Sequence, residues 1–305
     1  MLHPKTKRID YGEKLIPPKG YELDYAVGTT YSLDLEALMV LPVALFYSQN
    51  LDAKRDELRY DILDAITKAA DKIRVYYQEG KLKVPRKYNY LMAYWEKGIK
   101  GITMPDYAAS FHPKIWVIRY TANDQPPCFR FLITSRNLTN ARDWDVAFST
   151  EGNTGDAVVD KSLPLVHFLK YLEKAGGSPL PERFFNDLSK TAFTLPDQFR
   201  RLNFYPIGIP DPDTGALYAN PLEEKTWDEL LVISPFVQDN IINHFIRNSK
   251  KPIKLLSRKD ELDTLNSDII NKVGEKNCYQ FSEFIRGAEF LEELGEESSI
   301  EPMPQ

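Results

Sequence analysis

The chain has 305 residues, 43% of them hydrophobic and 12% aromatic, with a formal net charge of −5. That composition can bury a sizeable core and excludes a disordered chain. The acidic balance excludes bulk nucleic-acid binding driven by overall charge, though a local basic cleft is compatible with it. Cys128 and Cys278 are the two cysteines, so a disulfide framework and a cysteine metal cluster are excluded and a reducing, cytoplasmic setting is expected.

In chain order, residues 1–20 read as an extended polar lead-in, with no apolar stretch of signal-peptide type. Tyr21 to Val27 alternates as a strand, and Gly28-Thr29-Thr30 reads as a turn. Ser32 is the expected N-cap of a helix over 33–47, kinked near Pro42. The run Leu38–Tyr47 is too short to span a bilayer. A second helix is expected at 54–71 and a buried parallel strand at Ile73–Gln78. Lys81 to Lys100 is basic and aromatic, the composition either of a single-strand groove or of a helix with a Tyr/Trp core face.

Phe111–Tyr120 and Phe129–Thr134 read as strands joined by a Pro126-Pro127 loop, with Trp144–Ser149 a third. Helices are expected at 161–174 and 182–191, followed by a Pro-rich connection over 203–226. Beyond it strand and helix alternate: 229–235, 236–248, 253–257, 259–273 and 278–281. The first part of the chain shows the same order of elements, which reads as a weak internal repeat. The expectation is a first half at 1–202, the connection at 203–226, and the beginning of an incomplete second half at 227–305. The fold class is α/β, a sandwich with a mixed, buried sheet and helices on both faces.

Two pairs of polar residues stand beside the apolar strands of 111–148. His112 and Lys114 open one strand, and Ser135 and Asn137 follow the next. Residues two apart in a strand share a face, roughly 7 Å apart. Each pair has an ordinary alternative: a solvated lysine at a strand start, and plain turn chemistry for Ser and Asn. Against the first, a lysine at the lip of a buried strand is costly unless it meets an anion. Together the four groups suit a phosphate.

In this order the motifs resemble the phospholipase D superfamily, whose signature is HxK, then Asp, then GSxN. His112, Lys114, Ser135 and Asn137 match, while Arg119 stands at the Asp position and Thr134 at the Gly position. The absent Asp is similar to the tyrosyl-DNA phosphodiesterase branch, and TSRNLTNARDWD at 134–145 resembles that branch's Thr-Ser-Asn-Leu turn running into Asp-Trp, with one extra residue before the Asn. The resemblance implies a phospholipase D-like α/β/α sandwich of two packed halves, the site in their seam. It implies His112 as nucleophile, Lys114 and Asn137 holding the phosphate oxygens, and Ser135 supporting the phosphate or the imidazole. It implies no metal and no other cofactor, since cationic side chains replace the metal.

A second histidine must protonate the leaving oxygen. His3 lies in the lead-in, His167 falls on a packed helix, and His244 has no lysine two residues on. The general acid is expected beyond residue 305 or from a second copy in a homodimer. Arg136 and Arg142 flank Asn137 and, with Arg119, are candidates for contacts to flanking phosphates or are ordinary loop arginines. Asp145 either accepts a hydrogen bond from an imidazole or belongs to a surface turn. The expected function is a phosphodiesterase on nucleic acid, single-stranded DNA or DNA ends, in the manner of a nuclease. Alternatives are a lipid or small-molecule phosphodiesterase, or a non-catalytic module binding DNA or a partner. No membrane partner is expected, for want of an amphipathic or lipid-anchoring segment.

Overall fold

The computed structural model describes residues 12–39, 41–46, 66–68, 71–85, 90–104, 109–140, 145–197 and 199–281. The chain divides into two units, Met1–Tyr218 and Ala219–Gln305. In the first, the apolar runs form strands β1 (Glu22–Thr30), β2 (Leu33–Asp34), β3 (Ile73–Gln78), β4 (Leu82–Lys83), β5 (Ile99–Ile102), β6 (Ile115–Ala122), β7 (Gln125–Thr134), β8 (Ala147–Thr154) and β9 (Thr191–Phe193). Seven of these make one sheet in the order β5-β3-β1-β6-β7-β8-β9. β3 is parallel to β1 and β5, whereas β6 is antiparallel to β1 and begins an antiparallel meander through β9. The sheet is therefore mixed, as the sequence predicts.

Both faces are covered, which is why β6 is buried from Ile115 to Tyr120 without alternation. One face carries Leu33, Leu38, Leu41 and Leu45 of the segments after β1, together with Trp95, against Trp116, Ile118 and Leu132. On the other, the helices Leu163–Gly176 and Glu182–Ser189 pack Leu165, Leu169 and Phe184 against Val117, Phe129 and Phe131. Each fully buried side chain of this size contributes about 1.5–3 kcal/mol of transfer free energy.

Several local expectations are corrected. Gly28-Thr29-Thr30 is the continuation of β1, not a turn. Gly28 pairs with Trp116, and a Cβ there would lie 2.6 Å from the indole, so the glycine makes room for a cross-strand ring. Leu33-Asp34 is a short strand, and the N-cap is Asp34, whose carboxylate accepts from Glu36 N, rather than Ser32. The expected helix over 33–47 is two pieces, Leu35–Leu38 and Leu41–Phe46. Pro126 and Pro127 lie within β7, and the hairpin turns earlier, at Asn123-Asp124. Of the helix expected at 54–71, residues 66–68 and 71 are helical, and 54–65 and 69–70 lie outside the described residues.

In the second unit β10 (Leu231–Ile233), β11 (Lys254–Ser257) and β12 (Cys278–Gln280) form a parallel sheet. Helix Asp239–Arg247 packs Ile242 into a core with Ile253, Leu255 and Ile269. The single helix expected over 259–273 is two, Lys259–Thr264 and Ser267–Val273. The break falls where the Asn266 side chain caps the second by accepting from Asp268 N.

Candidate active site

β6 and β7 bring the two motif segments to one end of the first unit's sheet. Ile115 pairs with Ile133, and Thr134 N donates to Lys114 O at 3.0 Å, so His112-Pro113-Lys114 and Thr134-Ser135 leave adjacent strands side by side. His112, Lys114, Thr134 and Ser135 border one cleft of about 860 Å³. The remaining wall is largely apolar, from Phe111, Phe131, Phe148, Phe168, Phe204 and Ile209 among others.

The segment read as a turn proves to be the brace of this site. Thr29 Oγ1 donates to Pro113 O at 3.0 Å and accepts from Ile115 N at 3.0 Å, clasping the backbone on both sides of Lys114. Thr30 Oγ1 accepts from Leu138 N at 2.9 Å, Asn137 Oδ1 accepts from Ser32 N at 3.5 Å, and Asp34 N donates to Leu138 O at 2.9 Å. One continuous stretch therefore holds both motif segments. From β3, Gln78 Oε1 accepts from Phe111 N at 2.6 Å.

Lys114 Nζ lies 3.0 Å from Nδ1 and 3.1 Å from Nε2 of His112. A lysine ammonium only donates, so the imidazole facing it is the neutral form. Desolvation and then the Lys114 charge hold the His112 pKa below its ordinary value. Desolvation also pulls Lys114 down to about 8, with the Asp145 carboxylate opposing the fall. At neutral pH the pair is an unprotonated ring nitrogen beside a cation, the two things a nucleophile and an incoming phosphate oxyanion require.

The other predicted residues fall in different places. Ser135 borders the cleft, but its hydroxyl donates to Asp145 Oδ1 at 2.8 Å and accepts from Val146 N at 2.9 Å. Asp145 thus serves Ser135 and, at 3.5 Å, Arg136, whose guanidinium also donates to Thr139 O. Asn137 and Arg136 stand in the same loop and are not among the residues bordering the cleft. Arg119 is removed from the phosphate-binding set: it is buried in β6, with Nη1 2.6 Å from Asp24 and Nε 2.9 Å from Asp187. A buried guanidinium with two carboxylates is satisfied where it stands. Arg142 and the Asp143-Trp144 pair lie outside the described residues.

In the basic-aromatic stretch, Tyr90–Lys97 is a 3-10 helix that buries Trp95 and leaves Tyr90 and Tyr94 exposed. Arg86, Lys87 and Tyr88 lie outside the described residues. His167 Nδ1 is 2.6 Å from Tyr218 Oη, and His244 Nε2 donates to Leu222 O at 3.1 Å; His3 lies outside the described residues. The sequence reading missed Thr29, Gln78 and the aromatic wall of the cleft. The alternation Tyr21, Leu23, Tyr25, Val27, carried two residues past Val27, was the signal for Thr29.

No family model matches the chain, and no curated protein matches it. Among solved structures it is similar to the yeast tyrosyl-DNA phosphodiesterase at 15% identity and a TM-score of 0.37, over 59% of this chain and 37% of that one. It is similar to the polyphosphate kinase of Porphyromonas gingivalis at 17% identity and a TM-score of 0.37, over 81% of this chain and 34% of that one. A histidine-to-asparagine variant of the yeast enzyme aligns at 14% identity and a TM-score of 0.44, over 83% of this chain and 61% of that one. The chain thus spans about a third of the length of the first two. No helix among the described residues is long and apolar enough to cross a membrane.

Proposed function

We propose that this chain is a phosphodiesterase of the phospholipase D type, acting without a metal on nucleic acid, single-stranded DNA or DNA ends, through a phosphohistidine. The observation that carries the reading is the Lys114 ammonium held against both ring nitrogens of His112 at the mouth of a cleft. A ring nitrogen of His112 attacks phosphorus, the P–N bond forms, the P–O bond to the leaving group breaks, and that oxygen takes a proton. Water then attacks the phosphohistidine and frees the ring. Lys114 offsets the charge on the non-bridging oxygens, and Asn137, whose Oδ1 accepts from Ser32 N, joins it by turning its amide N–H toward the bound phosphate. The general acid is a second histidine, from chain beyond Gln305 or from His112 of a second copy in a homodimer. The Met1–Tyr218 unit then corresponds to the motif-bearing half, with the unit after it as the start of another.

Labelled single-stranded DNA incubated with the protein and EDTA tests this. Cleavage with a trapped phospho-enzyme is expected, both lost in His112→Asn; cleavage abolished by EDTA, or retained by that variant, overturns the mechanism. A second reading, a phosphodiester with a large apolar substituent, draws on the phenylalanine-rich lining of the cleft. Faster turnover of a lipid or aryl phosphodiester than of DNA would favour it.

A further inference from the structure

The geometry points to Tyr31 as the positioning residue of His112, a role that rests on the reading of His112 as nucleophile. A nucleophilic imidazole is ordinarily oriented by a hydrogen bond from its second ring nitrogen to a carboxylate or carbonyl. Among the described residues His112 has no such partner, and the acidic residue nearest in the motif, Asp145, is bonded to Ser135 and Arg136. Among the described residues the imidazole's partners are the Lys114 ammonium and the Tyr31 ring, whose centroid lies 4.8 Å away at an interplanar angle of 47°.

An ammonium near both nitrogens does not select one of them. It is also the group that must turn to the phosphate when substrate arrives. Tyr31 is then what holds the plane of the ring. It is built to do so: it follows Thr29 and Thr30, whose hydroxyls tie β1 to both motif segments, and its carbonyl accepts from Gln78 N at 3.2 Å. His112 borders the cleft and Tyr31 does not, so the phenol ring backs the imidazole without occupying substrate space. Lys81 Nζ stands 5.5 Å from the Tyr31 centroid and further restrains the ring.

The tests are Tyr31→Ala and Tyr31→Phe, with single-stranded DNA as substrate and the imidazole protons of His112, assigned by difference from His112→Asn, followed by NMR. Tyr31→Ala is expected to lower kcat roughly 10- to 100-fold, as misplacement of a nucleophile does, with KM within about twofold. It should also move the His112 ring protons out of the ring-current field of the phenol. Tyr31→Phe should restore both. Unmoved ring protons in Tyr31→Ala overturn the inference whatever the activity. So does a loss confined to KM, or one equal in Tyr31→Phe. Retained turnover in His112→Asn instead sinks the underlying reading of the nucleophile, a result distinguishable from all of these.

Discussion

Two nearby cations, Lys114 just before β6 and Arg119 within it, are treated in opposite ways. Arg119 is buried in β6, with Asp24 of β1 and Asp187 of the helix Glu182–Ser189 within hydrogen-bond distance, and Asp24 is shared with Arg183. Lys114, five residues earlier, makes no ion pair among the described residues and instead faces a neutral imidazole at the rim of a cleft. A cation whose charge is answered inside the protein holds the fold together. A cation whose charge is left to a neutral ring and to solvent is available to an anion from outside. Arg130 repeats the first arrangement in β7, with Glu151 and the carbonyls of Lys14 and Ile16.

Removing the proposed nucleophile gives the largest effect on the catalytic side of this contrast. His112→Asn is expected to lower turnover on the order of 10³-fold or more, with the fold retained, as judged by circular dichroism and single-turnover cleavage. Lys114→Met follows, at about 10²- to 10³-fold in kcat, the scale of losing one preorganised donor to a developing oxyanion. If Arg119→Met produced the same loss of turnover per folded molecule, the contrast between the two cations would be wrong.

Arg119→Met should instead act on stability. It leaves Asp24 and Asp187 largely buried with part of their neutralising charge gone, a change worth about 3 kcal/mol when a buried pair is broken from one side. Arg183 still faces Asp24, so the loss should sit toward the low end for such a site. The measurement is chemical denaturation, with the midpoint falling and kcat of the surviving folded protein unchanged.

The strands of this site were legible because they are long apolar runs covered on both faces, and β3 matches the expected Ile73–Gln78. That His112, Lys114 and Ser135 meet at one end of the sheet was legible because polar side chains at the ends of such runs are conspicuous, whereas Asn137 stands in the next loop and does not border the cleft. Arg119 was misread for the same reason: sequence shows a charge in a strand but not the carboxylates that reach it from Asp24, 95 positions before it, and from Asp187, 68 positions after it. Gly28-Thr29-Thr30 was misread because a glycine in a polar stretch scores as a turn. The reason for the glycine is the Trp116 ring on the next strand, which local sequence does not contain. With the turn went the brace, and with the brace Tyr31.

Asp145 links the two regimes, because it is a carboxylate near Lys114 that does not pair with it. Its charge raises the Lys114 pKa against the desolvation that pulls it to about 8. The proposed mechanism requires His112 neutral and Lys114 charged. It should therefore rise with pH through a limb below the ordinary imidazole value of 6.5 and fall again near 8. Asp145→Asn removes the charge and keeps an oxygen to accept from Ser135, so the loop should hold. The alkaline limb should then move to lower pH by about a unit or less, as expected for a partly solvated pair, with the acid limb little changed. A pH–rate profile with an unmoved alkaline limb would show that the fall near 8 belongs to a group other than Lys114. A limb moving upward would mean that Asp145 does not support the ammonium.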